Sequence, residues 1–151
     1  MSVLACDLGS KTGWATNASG VINSSVEDFT PSPRESKGMR FVRFRAWLME
    51  MLDSLEPKLV VYEQAHNRGG AATQVLNGMT ALLIEECERR GINYTSVHSA
   101  TLKKFATGSG RADKKQMIIY AKSAYPDQDI KSDDQADALH LLGYGMKKFD
   151  N

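Results

Sequence analysis

Residues 58–63 read Lys-Leu-Val-Val-Tyr-Glu, a short run of β-favouring residues set between two segments of helical periodicity. A strand that is apolar at successive positions, rather than alternate ones, has both faces covered, so this run demands a parallel or mixed sheet between helical layers. The segment before it repeats Phe41, Phe44, Leu48, Met51, Leu52 and Leu55 at helical spacing, follows Pro31 and Pro33, and is stopped by Pro57. The segment after it repeats Val75, Leu76, Met79, Leu82, Leu83 and Cys87 and is closed by Gly91. Upstream, residues 3–8, 12–16 and 21–29 read as an antiparallel meander of three strands, and residues 92–97 as a fifth strand. Downstream, residues 100–105 and 112–125 are helical around the loop Thr107-Gly-Ser-Gly-Arg111. Ser132-x-x-Gln135 has the form of a capping box opening a last helix that ends near Lys148. This order predicts one α/β domain over residues 1–151, a mixed five-stranded sheet with helices on both faces.

A chain of 151 residues can bury roughly 68–70% of its unfolded surface and needs no disulfide or metal staple. Its two cysteines, Cys6 and Cys87, form no Cys-x-x-Cys pair. The start, Met1 to Asp7, has no basic lead, and no apolar run approaches the ~18 residues of a membrane span. These features read as a reduced, cytoplasmic protein without a membrane anchor. The net charge of +1 excludes a uniformly basic coat but hides segregation. Arg34, Lys37, Arg40, Arg43 and Arg45 face only Glu35, and Lys103, Lys104, Arg111, Lys114, Lys115 and Lys122 face only Asp113. Asp127, Asp129, Asp133, Asp134 and Asp137 in turn face only Lys131. Each block is either a solvated face or part of a surface that grips a polyanion while carboxylates hold metal at one phosphate.

The carboxylates carry the chemistry. Asp7 ends the first strand beside a Gly-bearing turn, and Glu63 ends an apolar strand, a costly place for an unpaired charge. Asp133, Asp134 and Asp137 open the last helix, where acids also favour the helix dipole. Converging on one crevice, such groups repel unless they share divalent cations, and oxygen-only ligation suits Mg²⁺ or Mn²⁺. Two ions ~3.5–4 Å apart serve in-line hydrolysis of a phosphodiester. Spacing leaves the ligands open, because Asp134 and Asp137 form an i, i+3 pair and Asp133 and Asp137 an i, i+4 pair. His140, one turn on, is a ligand, a proton shuttle or a packed histidine. No Ser-His-Asp pattern, Walker loop or Rossmann fingerprint competes.

Asp7-x-Gly9-x-x-x-Gly13, Glu63-Gln64 and Asp134-Gln-Ala-Asp137-Ala-Leu139, in this strand order, resemble the RuvC family of Holliday junction resolvases within the RNase H-like superfamily. The likeness covers nearly the whole chain. It implies an RNase H-like fold and a homodimer that makes symmetric nicks across a four-way DNA junction. Asp7, Glu63, Asp134 and Asp137 then match the metal-binding catalytic carboxylates, with Mg²⁺ as cofactor and Mn²⁺ as substitute. Lys103 and Lys114 match functional lysines, and Lys104, Arg111 and Lys115 extend the basic block that would meet phosphates. His66 stands where relatives often carry a wedging phenylalanine, and Arg68 beside it can stack or grip phosphate. The resemblance further implies that Ala71, Val75, Met79 and Leu82 on the second helix contribute dimer contacts. Phage-type membership, action on DNA in the nucleoid or in an infected cell, and dependence on a branch-migrating helicase stay open. So do two neighbouring functions: nucleolytic action on flaps, forks or RNA·DNA hybrids, and non-catalytic binding of branched DNA.

Overall fold

A computed structural model describes residues 1–65 and 69–149. Five strands, β1 (Val3–Asp7), β2 (Lys11–Thr16), β3 (Asn23–Asp28), β4 (Leu59–Glu63) and β5 (Asn93–Val97), lie in the order β3-β2-β1-β4-β5. β1 pairs antiparallel with β2 and parallel with β4, and β4 pairs parallel with β5. The mixed sheet expected from the 58–63 run is therefore present, with β1 and β4 adjacent at its centre. Five helices complete the described residues: α1 (Met39–Leu55), α2 (Gly70–Arg90), α3 (Ser99–Thr107), α4 (Lys114–Ala124) and α5 (Asp133–Phe149).

The two-residue period of the strands divides the core into two layers. Val3, Ala5, Leu59 and Val61 face Leu102, Met117, Leu139 and Leu142 of α3, α4 and α5. Leu4, Cys6, Val60 and Tyr62 face Phe44, Leu48, Met79 and Leu83 of α1 and α2. Each helix stops where local chemistry dictates. Glu56 takes a left-handed conformation before Pro57, and Gly91 does the same after α2. Asp113 and Gln116 form a complete capping box at α4. At α5 Ser132 Oγ accepts from the Gln135 amide at 3.2 Å, but the Gln135 side chain reaches back to the Lys131 amide at 3.0 Å, one residue beyond the expected partner.

Three expectations need correction. β3 is shorter than 21–29, because Asn23–Asp28 is a polar edge strand paired only with β2. α2 begins at Gly70, a full turn before Val75, its first turns being too polar and small to show periodicity. Met79 cannot face a partner chain, since it is 0% exposed in the core layer beneath α2. No helix of the described residues is long and apolar enough to cross a membrane.

Candidate active site

Parallel neighbours end at the same rim of a sheet. The β1–β4 register matches Cys6 with Tyr62, so the next residues, Asp7 and Glu63, emerge side by side from an otherwise buried pair of strands. α5 packs across β1 and β2 and brings its first two turns to that rim. Ligand oxygens of Asp7, Glu63 and Asp137 all lie within 4.8 Å of one another. Asp134, one turn earlier, is hydrogen-bonded to Asp7.

Two features hold α5 in place. Gly13 pairs with Asp7 in the β1–β2 register, and a β-carbon there would meet the Asp134 carbonyl oxygen at 2.0 Å. Only glycine allows this approach, which explains in physical terms why the first-strand motif ends in Gly13. Gln135, buried between the two α5 acids, donates to Ser24 Oγ at 3.0 Å and to the Asp129 carbonyl at 3.2 Å. Ser24 donates in turn to Gln128, whose amide returns to the Ile22 carbonyl at 2.9 Å. β3, the loop before α5 and α5 itself are thus tied by one partly buried amide network.

The electrostatics follow from the packing. Burial lifts the Asp7 carboxyl well above the usual range, and Asp137, Glu63 and Asp134 add to the lift. Burial likewise raises Asp137 to about 7, reinforced by Glu63, Asp133 and Asp134 and opposed by Lys103. Asp134 is raised by burial and by Asp133, against the bond from Asp7 and the charges of Lys114 and Lys11. Two carboxyls can share a hydrogen bond only when one is protonated, so Asp7 and Asp134 hold a proton between them. In the absence of a cation, protons relieve the repulsion. The same set of hard oxygen donors, with no nitrogen or sulfur among them, fits a divalent cation.

The basic residues divide by position. Lys103 and Lys114 line a cavity of about 360 Å³ together with Glu63 and Asp137. Lys114 Nζ stands 3.5 Å from Asp133 Oδ2, so Asp133 is paired with a cation rather than placed among the three clustered acids. Lys104, Arg111 and Lys115 are exposed and outside that cavity. His66 and Arg68 lie outside the described residues. Of the three readings of His140, the packed histidine holds: it is 4% exposed, its Nε2 is 2.8 Å from the Met117 carbonyl, and burial lowers its pKa. Sequence reasoning missed Lys11 and Gln135. Lys11 carries no local signal, and Gln135 is marked only by its place in the Ser132-x-x-Gln135 pattern, which says nothing of its role at the site.

This mixed sheet, with acids at the ends of β1 and β4 and on α5, is the RNase H-like fold of the RuvC type. The particular likeness is to RuvC itself. Thermus thermophilus RuvC superposes with a TM-score of 0.76 at 19% identity, covering 97% of this chain and 96% of that one. Fowlpox virus resolvase, solved with substrate Holliday junction DNA, gives a TM-score of 0.67 at 16% identity over the full length of both chains. In sequence, crossover junction endodeoxyribonuclease RuvC of Parvibaculum lavamentivorans is 27% identical over 146 residues, 93% of this chain and 83% of the relative. RuvC of Corynebacterium efficiens is 33% identical over 115 residues, 74% of this chain. The match spans about half the length of that relative and of its Corynebacterium glutamicum counterpart, 51% and 47%. No protein-family model matches the chain.

Proposed function

We propose that this protein is a metal-dependent, structure-selective endonuclease that resolves four-way DNA junctions by paired symmetric phosphodiester hydrolysis. The observation that carries this reading is the convergence of Asp7, Glu63 and Asp137 within 4.8 Å, with Asp134 bonded to Asp7, beside a lysine-lined cavity. Relatives named crossover junction endodeoxyribonuclease, and a Thermus thermophilus RuvC solved with Holliday junction substrate, point to the same substrate.

Asp7, Glu63, Asp134 and Asp137 would hold the cations, Mg²⁺ with Mn²⁺ as substitute. When bound, such ions activate a water and stabilise the leaving oxygen of an in-line displacement. The chain's own residues do the rest. Lys103 and Lys114 face the carboxylates across the small cavity and balance the negative charge of an incoming phosphate. Lys104, Arg111 and Lys115 provide exposed cations for the DNA backbone farther out, and His66 and Arg68, outside the described residues, would meet the junction centre. A homodimer places two such sites on a substrate of matching twofold symmetry. Of the α2 residues expected at that contact, half-buried Leu82 stays available, whereas Met79 is buried and Ala71 and Val75 line a larger cavity beside the carboxylates.

The test is cleavage of a labelled immobile four-way junction with Mg²⁺, beside linear duplex, flap and fork controls. Paired symmetric nicks by wild type, lost in Asp7→Asn and Glu63→Gln, are expected. Full activity in either variant, or faster cutting of a flap or fork than of the junction, overturns the reading.

A further inference from the structure

A second, larger cavity of about 1090 Å³ opens beside the carboxylate cluster and shares Asp134 and Lys114 with its surroundings. It runs from the β1–β2 turn between the 30–38 loop with the first turn of α1 and the first turns of α2. Leu8, Pro31, Phe41, Val75 and Leu76 make its walls apolar. Phe41 is seated against α2 at Gly78, where a β-carbon would meet the ring at 2.6 Å. A bulkier residue at 78 would displace the ring.

The charges on this cavity are unbalanced. Glu35, an acid of its wall, is already engaged: it accepts from the Arg43 guanidinium and from the Ser32 amide, and these bonds hold its pKa down at about 2. Lys37 and Arg40 form no ion pair among the described residues, and Arg40 Nε is buried without a hydrogen-bond partner. Arg40 thus lines the cavity as a cation with no anionic partner among the described residues, and a guanidinium in that position is suited to a phosphate. Apolar walls beside free cations select a ligand with a flat apolar part and an anionic part. Duplex DNA offers phosphates but keeps its base faces stacked, so the walls would have nothing to cover. An unpaired nucleotide offers both.

We infer that this cavity seats an unpaired nucleotide of the strand being cut, its base against Phe41 and Pro31 and its phosphate on Arg40 and Lys37. That the nucleotide belongs to the cut strand rests on the nuclease reading; the seat itself rests on the cavity. Continuity with Asp134 and Lys114 places it next to the position of the scissile phosphate.

The experiment reads binding, with cleavage as a separate arm. A single-stranded tetranucleotide carrying 2-aminopurine is titrated with wild type, Arg40→Ala, Arg40→Lys, Lys37→Ala and Phe41→Leu, each first shown to be folded by circular dichroism and thermal melting. A saturable fluorescence change is expected with wild type, with affinity falling roughly tenfold in Arg40→Ala and in Lys37→Ala and partly restored in Arg40→Lys. Phe41→Leu should keep most of the affinity and lose most of the fluorescence change. If Phe41→Leu does not fold, the exposed Lys37 still decides the matter. On junctions, Arg40→Ala should raise KM and leave kcat nearly unchanged. Binding insensitive to Arg40 and Lys37 overturns the seat, and so does a change of oligomeric mass in Arg40→Ala, which would mean that a second copy covers the cavity. Arginine-dependent binding without any cleavage of branched DNA upholds the seat and removes the nuclease reading; intact cleavage with insensitive binding does the reverse.

Discussion

Gly13 stands directly beneath Asp134: a β-carbon on the glycine would lie 2.0 Å from that residue's carbonyl oxygen, and the nearest main-chain atoms of Asp134 and Gln135 are no farther than 3.0 Å. The sheet and the helix that bears two of the acids touch backbone to backbone at the very residue that pairs with Asp7. Gly13→Ala must therefore push the start of α5 off β2. We expect a loss of about 1–3 kcal/mol in stability and a fall of at least a hundredfold in junction cleavage. Thermal melting and single-turnover cleavage measure the two effects, and a normal rate in a destabilised variant would show that α5 need not touch β2 for the acids to work.

Acid pH should stabilise the cation-free protein. Asp137 is raised to about 7 and Asp7 is raised as well, so the folded state binds protons that the unfolded chain releases near its ordinary value of 3.8. Their stabilisation is complete below about 4 and fades as pH climbs through about 7. With chelator present, the melting temperature should rise on going from pH 8 to pH 5, by the equivalent of roughly 1–3 kcal/mol. Mg²⁺ or Mn²⁺ should flatten that slope, and Asp137→Asn should stabilise the chelated protein at pH 8. A slope that is flat without cations would mean that the acids do not repel one another as the geometry requires.

Gln135 offers a third check, because it is 5% exposed and its side chain serves three polar groups at once. Gln135→Leu keeps the approximate shape but leaves Ser24, the Lys131 amide and the Asp129 carbonyl without these bonds. A cost of about 1–3 kcal/mol is expected, together with weaker cation binding by isothermal titration, since Asp134 and Asp137 flank the lost anchor. Unchanged cation affinity would limit Gln135 to a purely structural part.

Lys114 separates stability from activity. Its side chain is 86% exposed and its pairing with Asp133 spans 3.5 Å in solvent. Lys114→Ala should shift stability by less than about 0.5 kcal/mol yet slow junction cleavage at least tenfold, whereas Lys122→Ala, in the same basic block, should change neither appreciably. Equal rates for the two variants would place the scissile phosphate away from the small cavity.

How far the residues spoke for themselves depends on the range of the forces involved. The β4 run and the α1 repeat were legible because periodicity is local, as were Asp7 and Glu63, whose positions at strand ends follow from the strands. The polar first turns of α2 and the brevity of β3 were not, since neither carries a period. Met79 shows the limit clearly. Its spacing fits an outward face and an inward one equally, and only packing on Phe44 and Leu83 turns it inward.

By itself, then, the sequence determined the strand and helix order, the mixed sheet, and the two acids that parallel neighbours must bring to one rim. Helical spacing left three acids on α5 equivalent, because i, i+3 and i, i+4 pairs share a helix face, and only the likeness of Asp134-Gln-Ala-Asp137 to the family motif singled out two of them. The tertiary structure chose among them: packing of Ala136, Leu139 and Leu142 on the sheet, the contact at Gly13 and the Gln135 network fix the rotation of α5. That rotation puts Asp137 with Asp7 and Glu63, Asp134 on Asp7, and Asp133 out toward Lys114. The rotation of a helix about its own axis is set by contacts distant in the chain, which is why helical periodicity could not supply it.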